Sequence, residues 1–343
     1  MKKWIHRIAI GVAGLVLLAA VVGAAVETVA RRRAVRDFPP RGELVDIGGR
    51  RMHLDCRGAG QPVVVLEAGL DNYGSLAWSA VHDSIAATTR VCAYDRAGIM
   101  WSDPAGGAFD AGRAAEDLRT ALVRAGERGP WVLVGHSLGG PYATTFAGRF
   151  GDDVAGLVFV DASHPEQGAR FAEIEGEQPF PARAIMGTLT AVGPALTRLG
   201  VARLVPGGAA PAGWTPELRA AQEAYASTSV AAMLAELGAI DATFASAARV
   251  RSFGERPLGD RPLVVLTAMA PPSPDERERE GFDAEREVRI REAWKALHED
   301  EATWSSRSRH QLVPDAGHYI QFDRPDVVVE AVREVVAAVR GRA

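Results

Sequence analysis

Trp131-Val132-Leu133-Val134-Gly135-His136-Ser137-Leu138-Gly139-Gly140-Pro141-Tyr142 decides the fold. An apolar run of strand length meets a glycine-flanked serine, and a helical pattern follows from Pro141 to Arg149. That is G-x-S-x-G in a strand–turn–helix setting. A turn this tight strains the serine backbone. It holds the hydroxyl above the carboxyl end of a sheet, at a helix N-terminus that favours developing negative charge.

Similar runs recur on both sides. Strands are expected at Glu43–Ile47, Arg51–Cys56, Pro62–Glu67, Arg90–Tyr94, Gly156–Val160, Leu263–Leu266 and His310–Val313, with the Gly48-Gly49 turn closing a hairpin between the first two. Helices are expected at Leu76–Ala87, Ala111–Ala125 and Asp326–Arg340. Strands alternating with such helices predict an α/β fold: a mostly parallel eight-stranded sheet flanked by helices and opened by an antiparallel hairpin. Between Asp161 and Leu263 the rhythm breaks into Ala-rich helical pattern, as in Pro216–Gly238 and Ala239–Val250. This stretch is expected to be a helical cap inserted above the sheet's carboxyl edge. The charged run from Asp275 to Glu280 reads as a solvated loop or helix face. No internal repeat is evident.

The 343 residues carry a net charge of −4, with 47% hydrophobic residues, 36 Gly, 20 Pro and 2 Cys. This excludes a disordered chain and a disulfide-dense scaffold, and argues against nucleic acid as a partner. The charge is divided unevenly. Lys2, Lys3, Arg7, Arg31, Arg32, Arg33 and Arg36 against Glu27 give residues 1–36 a charge of +6, which leaves −10 for the rest. Ile8 to Val26 contains no charged side chain, and 19 residues at ~1.5 Å each span about 30 Å, a bilayer's hydrocarbon thickness. We read this as an uncleaved N-terminal transmembrane helix. The alternative is a signal peptide cleaved near Gly23-Ala24-Ala25, giving a secreted protein; the uncharged run exceeds the usual ~7–15 residues of such a peptide. Asp37 to Gly42, with Pro39-Pro40, reads as a linker. The expected divisions are 1–40 for anchor and linker, 41–165 and 260–343 for the core, and 166–259 for the cap.

A serine hydroxyl needs a base. Of the eight histidines, His318 in Asp315-Ala316-Gly317-His318-Tyr319 lies in the loop between the last strand and the last helix, at the sheet's carboxyl end. From about Glu43 onward the chain resembles the α/β-hydrolase fold family of serine hydrolases. The resemblance is carried by Glu67-Ala68-Gly69-Leu70, Tyr94-Asp95-Arg96-Ala97-Gly98, Gly135-His136-Ser137-Leu138-Gly139-Gly140, and Gly317-His318 with Arg324-Pro325. It implies Ser137 as nucleophile, His318 as base, an orienting carboxylate, and an oxyanion hole from the backbone N–H groups of Leu138 and Leu70.

Two positions depart from the family pattern. The orienting acid usually follows the penultimate strand, but Leu263–Leu266 continues Thr267-Ala268-Met269-Ala270-Pro271-Pro272 with no carboxylate at that distance. Asp161, at the end of Gly156–Val160, is the expected acid, with Asp275 as the alternative; the structural reading of Asp161 is a cap on the turn at Ser163. Met100 stands where the family often has a second glycine. Serine at the nucleophile position argues against haloalkane dehalogenase or epoxide hydrolase, where the family has a carboxylate there.

In this fold the strands bearing Cys56 and Cys92 are antiparallel neighbours, so the resemblance permits a disulfide; two buried thiols are the alternative. A disulfide would put the catalytic domain on the extracytoplasmic side. Neither cofactor nor metal is expected. The expected function is cleavage of an ester or related acyl bond in an apolar small molecule, with membrane lipid contacted through the N-terminal helix. The rivals are acyl transfer or C–C hydrolysis by the same triad, and a non-catalytic binding protein of the same fold.

Overall fold

The computed structural model describes residues 2–107, 109–175, 182–204, 211, 213–272, 277 and 283–341. Eight strands form one sheet: β1 Glu43–Asp46, β2 Arg51–Arg57, β3 Val64–Glu67, β4 Val91–Tyr94, β5 Trp131–His136, β6 Val154–Val160, β7 Leu263–Ala268 and β8 Ser308–Val313, in the order β1-β2-β4-β3-β5-β6-β7-β8. The pairs β1·β2 and β2·β4 are antiparallel and the rest parallel. This is the sheet expected from the sequence.

The described helices are α1 Lys2–Asp37, α2 His82–Ala86, α3 Ala111–Arg124, α4 Gly139–Arg149, α5 Gln167–Glu175, α6 Ala182–Thr197, α7 Pro216–Gly238, α8 Ile240–Arg251, α9 Ala284–Glu301, α10 Ile320–Asp323 and α11 Pro325–Arg340. The central strands are apolar throughout because helices cover both faces of the sheet. On one face α11 buries Val328, Ala331, Val332 and Val335 at helical spacing. On the other α3 buries Ala115, Leu118, Ala121 and Leu122 with Phe146 of α4. Helices α5–α8 lie between β6 and β7 in the chain and supply the cap.

Three elements differ from expectation. Leu76–Ala87 is not one helix but a 3₁₀ turn at Gly74–Trp78 and the short α2, both tucked into the core through Trp78, Val81 and Ile85. Helix α9 is not among the helices given bounds from sequence, where only a helical stretch around His298 is read, because its sequence is dominated by charge and carries little apolar periodicity. Residues 37–42 do not act as a free linker. Helix α1 continues to Asp37, and the Phe38 carbonyl accepts hydrogen bonds from Trp101 Nε1 (3.0 Å) and Tyr225 OH (3.1 Å). The last third of α1 packs on the core and cap: Ala34 is buried, and Glu27 bonds Arg31 and Arg203, both at 2.6 Å. The apolar part of α1 is exposed, and α1 is long and apolar enough to cross a membrane.

Candidate active site

Ser137 follows β5 directly and has φ +51°, a left-handed backbone that a non-glycine residue adopts at a cost of about 1–3 kcal/mol. The flanking glycines allow the turn. A Cβ on Gly135 would come 2.6 Å from the Gly139 carbonyl oxygen, and one on Gly139 would overlap the Glu67 carbonyl. Gly69, after β3, comes equally close, since a Cβ there would sit 2.9 Å from Ser137 Cβ. The backbone at Gly69-Leu70 therefore lies against the serine on one side, and Leu138, at the start of α4, lies on the other.

Asp161 terminates β6, also with positive φ (+45°). Its Oδ2 accepts from His318 Nδ1 at 2.7 Å, and its Oδ1 from Trp294 Nε1 at 2.9 Å and the Ala268 N–H at 2.8 Å. Burial pushes the Asp161 carboxyl up, but the His318 bond and charge, His298 and Trp294 together hold it below its ordinary value. The Ser163 N–H goes to the Ser137 carbonyl at 2.8 Å, so the turn that Asp161 was read as capping is satisfied by the serine's backbone instead. Asp275 lies outside the described residues. The His318 side chain is 43% exposed, whereas Asp161 is buried.

His136 connects the serine's turn to the His318 loop. Its Nε2 donates to the His318 carbonyl at 2.9 Å, and the two rings lie 4.7 Å apart. Burial, with the neighbouring His318, pushes His136 down to about 3, so it is neutral at physiological pH. A second layer supports Asp161 from below. His298 Nε2 donates to the Ala162 carbonyl (2.7 Å), its Nδ1 meets Thr267 Oγ1 (2.7 Å), and that hydroxyl meets His310 Nε2 (2.7 Å). Burial lowers the His298 imidazole, whose two ring nitrogens brace the Ala162 carbonyl and Thr267.

Sequence reasoning missed Trp294 and His298 because they lie on α9, and their i, i+4 spacing means nothing until β6 is known to lie beside them. Arg96 lies in the Tyr94–Gly98 stretch that carries the family resemblance, and its role is set by partners far away in the chain. Arg96 is buried and donates to Glu67 (2.7 Å), the Ala68 carbonyl (2.7 Å), the Gly69 carbonyl (2.6 Å) and both Glu236 oxygens (2.9 and 2.8 Å). Tyr94 OH also donates to Glu67. One guanidinium thus fixes the Gly69 turn and ties it to α7 of the cap. Met100 has φ +41° and its N–H reaches Ser229 Oγ of α7 at 2.9 Å. The left-handed backbone explains why glycine suits that position. Cys56 and Cys92, opposite each other in β2 and β4, form a disulfide.

The sequence model of the α/β hydrolase fold matches residues 61–183. An uncharacterised protein of Schizosaccharomyces pombe is 47% identical over 74 residues, which are 22% of this chain and 14% of that one. A probable transporter of Hormonema carpetanum is 34% identical over 128 residues, 35% of this chain and 18% of that one. The chain thus spans under a fifth of the length of these two relatives. Among solved structures, an esterase from Thermogutta terrifontis aligns over 86% of this chain and 97% of its own, with 22% identity and TM-score 0.55. An epoxide hydrolase aligns over 87% and 98%, with 18% identity and TM-score 0.55. An enzyme that degrades N-acyl homoserine lactones aligns over 85% and 99%, with 19% identity and TM-score 0.56. The sheet order, the Ser137 turn and these matches lead to one assignment: the chain has the α/β-hydrolase fold.

Proposed function

We propose that the protein is a membrane-anchored serine hydrolase that cleaves an ester or related acyl bond through an acyl-enzyme. The observation that carries this reading is the 2.7 Å bond between His318 Nδ1 and Asp161, beside a serine held at φ +51°. Ser137 Oγ attacks the acyl carbon while His318 Nε2 takes its proton. Asp161 holds the imidazole tautomer and stabilises the imidazolium. The N–H groups of Leu70 and Leu138 receive the oxyanion. His318 returns the proton to the leaving group, and water then repeats the cycle to release the acid. An epoxide hydrolase reading is disfavoured because Ser137 stands where an alkyl-enzyme mechanism needs a carboxylate.

The test is labelling by a fluorophosphonate probe together with a panel of short and long p-nitrophenyl esters. Covalent labelling lost in Ser137→Ala, with turnover of apolar esters, is expected. Absence of labelling in the folded wild type would favour a binding protein instead. Product partition between water and added alcohol separates hydrolysis from acyl transfer.

The uncharged run of 19 residues, longer than the usual ~7–15 of a signal peptide, supports an anchor that is retained, and the docking of Glu27 and Ala34 ties its end to the cap and core. The Cys56–Cys92 disulfide supports an extracytoplasmic catalytic domain. Blocking by a membrane-impermeant thiol reagent in intact cells, on a cysteine introduced at exposed Val123, is the expected result; protection until lysis would reverse the orientation.

A further inference from the structure

Helix α6 is apolar and covers only one of its faces. Toward α7, a Cβ on Gly193 would meet Leu234 Cδ1 at 2.6 Å, and Thr197 is buried. Away from α7, Ile185, Leu189, Val192 and Leu196 form an i, i+4, i+7, i+11 stripe, each 39–57% exposed, and Leu199 and Leu204 extend it. Soluble surfaces rarely leave such a run open.

Two observations identify what covers it. First, the stripe is continuous with α1. The Leu199 carbonyl lies so close to Gly23 that a Cβ there would overlap it, and Gly23 falls three residues before the end of the uncharged run at Val26. The apolar face of α6 therefore starts where the spanning part of α1 ends. Second, the charge matches one kind of partner. Between Ala182 and Leu204 the charged residues are Arg183, Arg198 and Arg203, with no Asp or Glu. Arg198 and Arg31 of α1 also line one cavity of about 320 Å³ where anchor, cap and the core loop bearing Ala97, Pro104 and Phe109 meet.

We infer that the exposed face of α6, extended through Leu199 and Leu204, lies in the surface of an anionic phospholipid bilayer beside the anchor, so that the cap is a second membrane contact. The leucine and isoleucine stripe enters the acyl boundary while the exposed Arg198 meets headgroup phosphates; Arg203 stays with the Glu27 carboxylate of α1. The cap then sits against the lipid surface rather than at the end of a free tether. This inference rests on α1 being membrane-embedded and is independent of the catalytic assignment.

The full chain, reconstituted in phosphatidylcholine–phosphatidylglycerol vesicles, offers a direct test. Both native cysteines are in the disulfide. Single cysteines from Leu189→Cys, Leu196→Cys, Leu15→Cys and Val123→Cys can therefore carry an environment-sensitive nitrobenzoxadiazole label. Val123 is the reference because it is exposed in the last turn of α3, where the neighbouring Arg124 bonds the Asp46 carbonyl of β1. Doxyl-labelled phospholipid is expected to quench the labels at 189 and 196 at least threefold more than the label at 123, with iodide accessibility reduced to match. Two results overturn the inference: labels at 189 and 196 that behave like the one at 123, or labels shielded from both quenchers, which means a protein surface such as a second copy covers the face. The label at Leu15 reports the anchor separately, so its quenching with unquenched 189 and 196 shows that only the cap contact is wrong.

Discussion

Asp161 Oδ2 and His318 Nδ1 lie 2.7 Å apart although 157 residues separate them in the chain. β6 ends at Asp161, β8 precedes His318, and β7 runs between them. β7, the strand after which the family usually places the acid, contributes the Ala268 N–H to the other carboxylate oxygen. The position that lacks a carboxylate thus supplies a donor that orients the carboxylate next to it.

The Gly69 turn sets the serine's surroundings. In Gly69→Ala the new Cβ would sit 2.9 Å from Ser137 Cβ and 3.1 Å from His136 Nδ1, so the turn has to move away. We expect kcat on a p-nitrophenyl ester to fall by about 10²-fold, the scale of one lost oxyanion donor. The melting temperature should change far less than the rate does. An unchanged kcat would show that this turn does not contribute to the oxyanion site.

Arg96 satisfies two buried carboxylates and two carbonyls. Arg96→Met leaves Glu67 and Glu236 without their cation and should cost about 3–5 kcal/mol in denaturant unfolding. Arg96→Met combined with Glu236→Gln should recover part of that loss. A single-variant loss below about 1 kcal/mol would mean the network is solvated rather than structural.

Stability on the acid side should depend on His82. Burial, opposed by Asp55, pushes its imidazole down to about 4 from an ordinary 6.5. Between those values the unfolded chain binds a proton that the folded chain refuses, so stability falls as pH drops through that window. His82→Gln cannot titrate. Relative to wild type it should gain up to about 3 kcal/mol between pH 7 and pH 4. Parallel stability–pH curves for the two proteins would exclude His82 as the cause.

Much of the architecture was legible because it rests on local pattern. β5, Ser137 and α4 are contiguous, and the apolar strands announce burial on both faces. What was hidden depended on packing between distant segments. Trp294 and His298 belong to a charged helix whose link to the site exists only through β6. Arg96 stood in a quoted motif, but its partners Glu67 and Glu236 are 29 and 140 residues away. The helical Asp37 end looked like the start of a linker because Pro39-Pro40 stops a helix, while the contacts that hold Phe38 come from Trp101 and Tyr225. Met100 stands out in sequence only as a departure from a usual glycine, and its positive φ is visible only in the folded backbone.

The central claim is that Ser137, His318 and Asp161 act as one catalytic unit, and kcat/KM of Asp161→Asn on a p-nitrophenyl ester tests it most directly, with Asp275→Asn measured alongside. A loss of about 10⁴-fold is expected for Asp161→Asn, from an imidazole held in the wrong tautomer, with near-wild-type turnover for Asp275→Asn. A folded Asp161→Asn enzyme with wild-type turnover, or a collapse confined to Asp275→Asn, would contradict it.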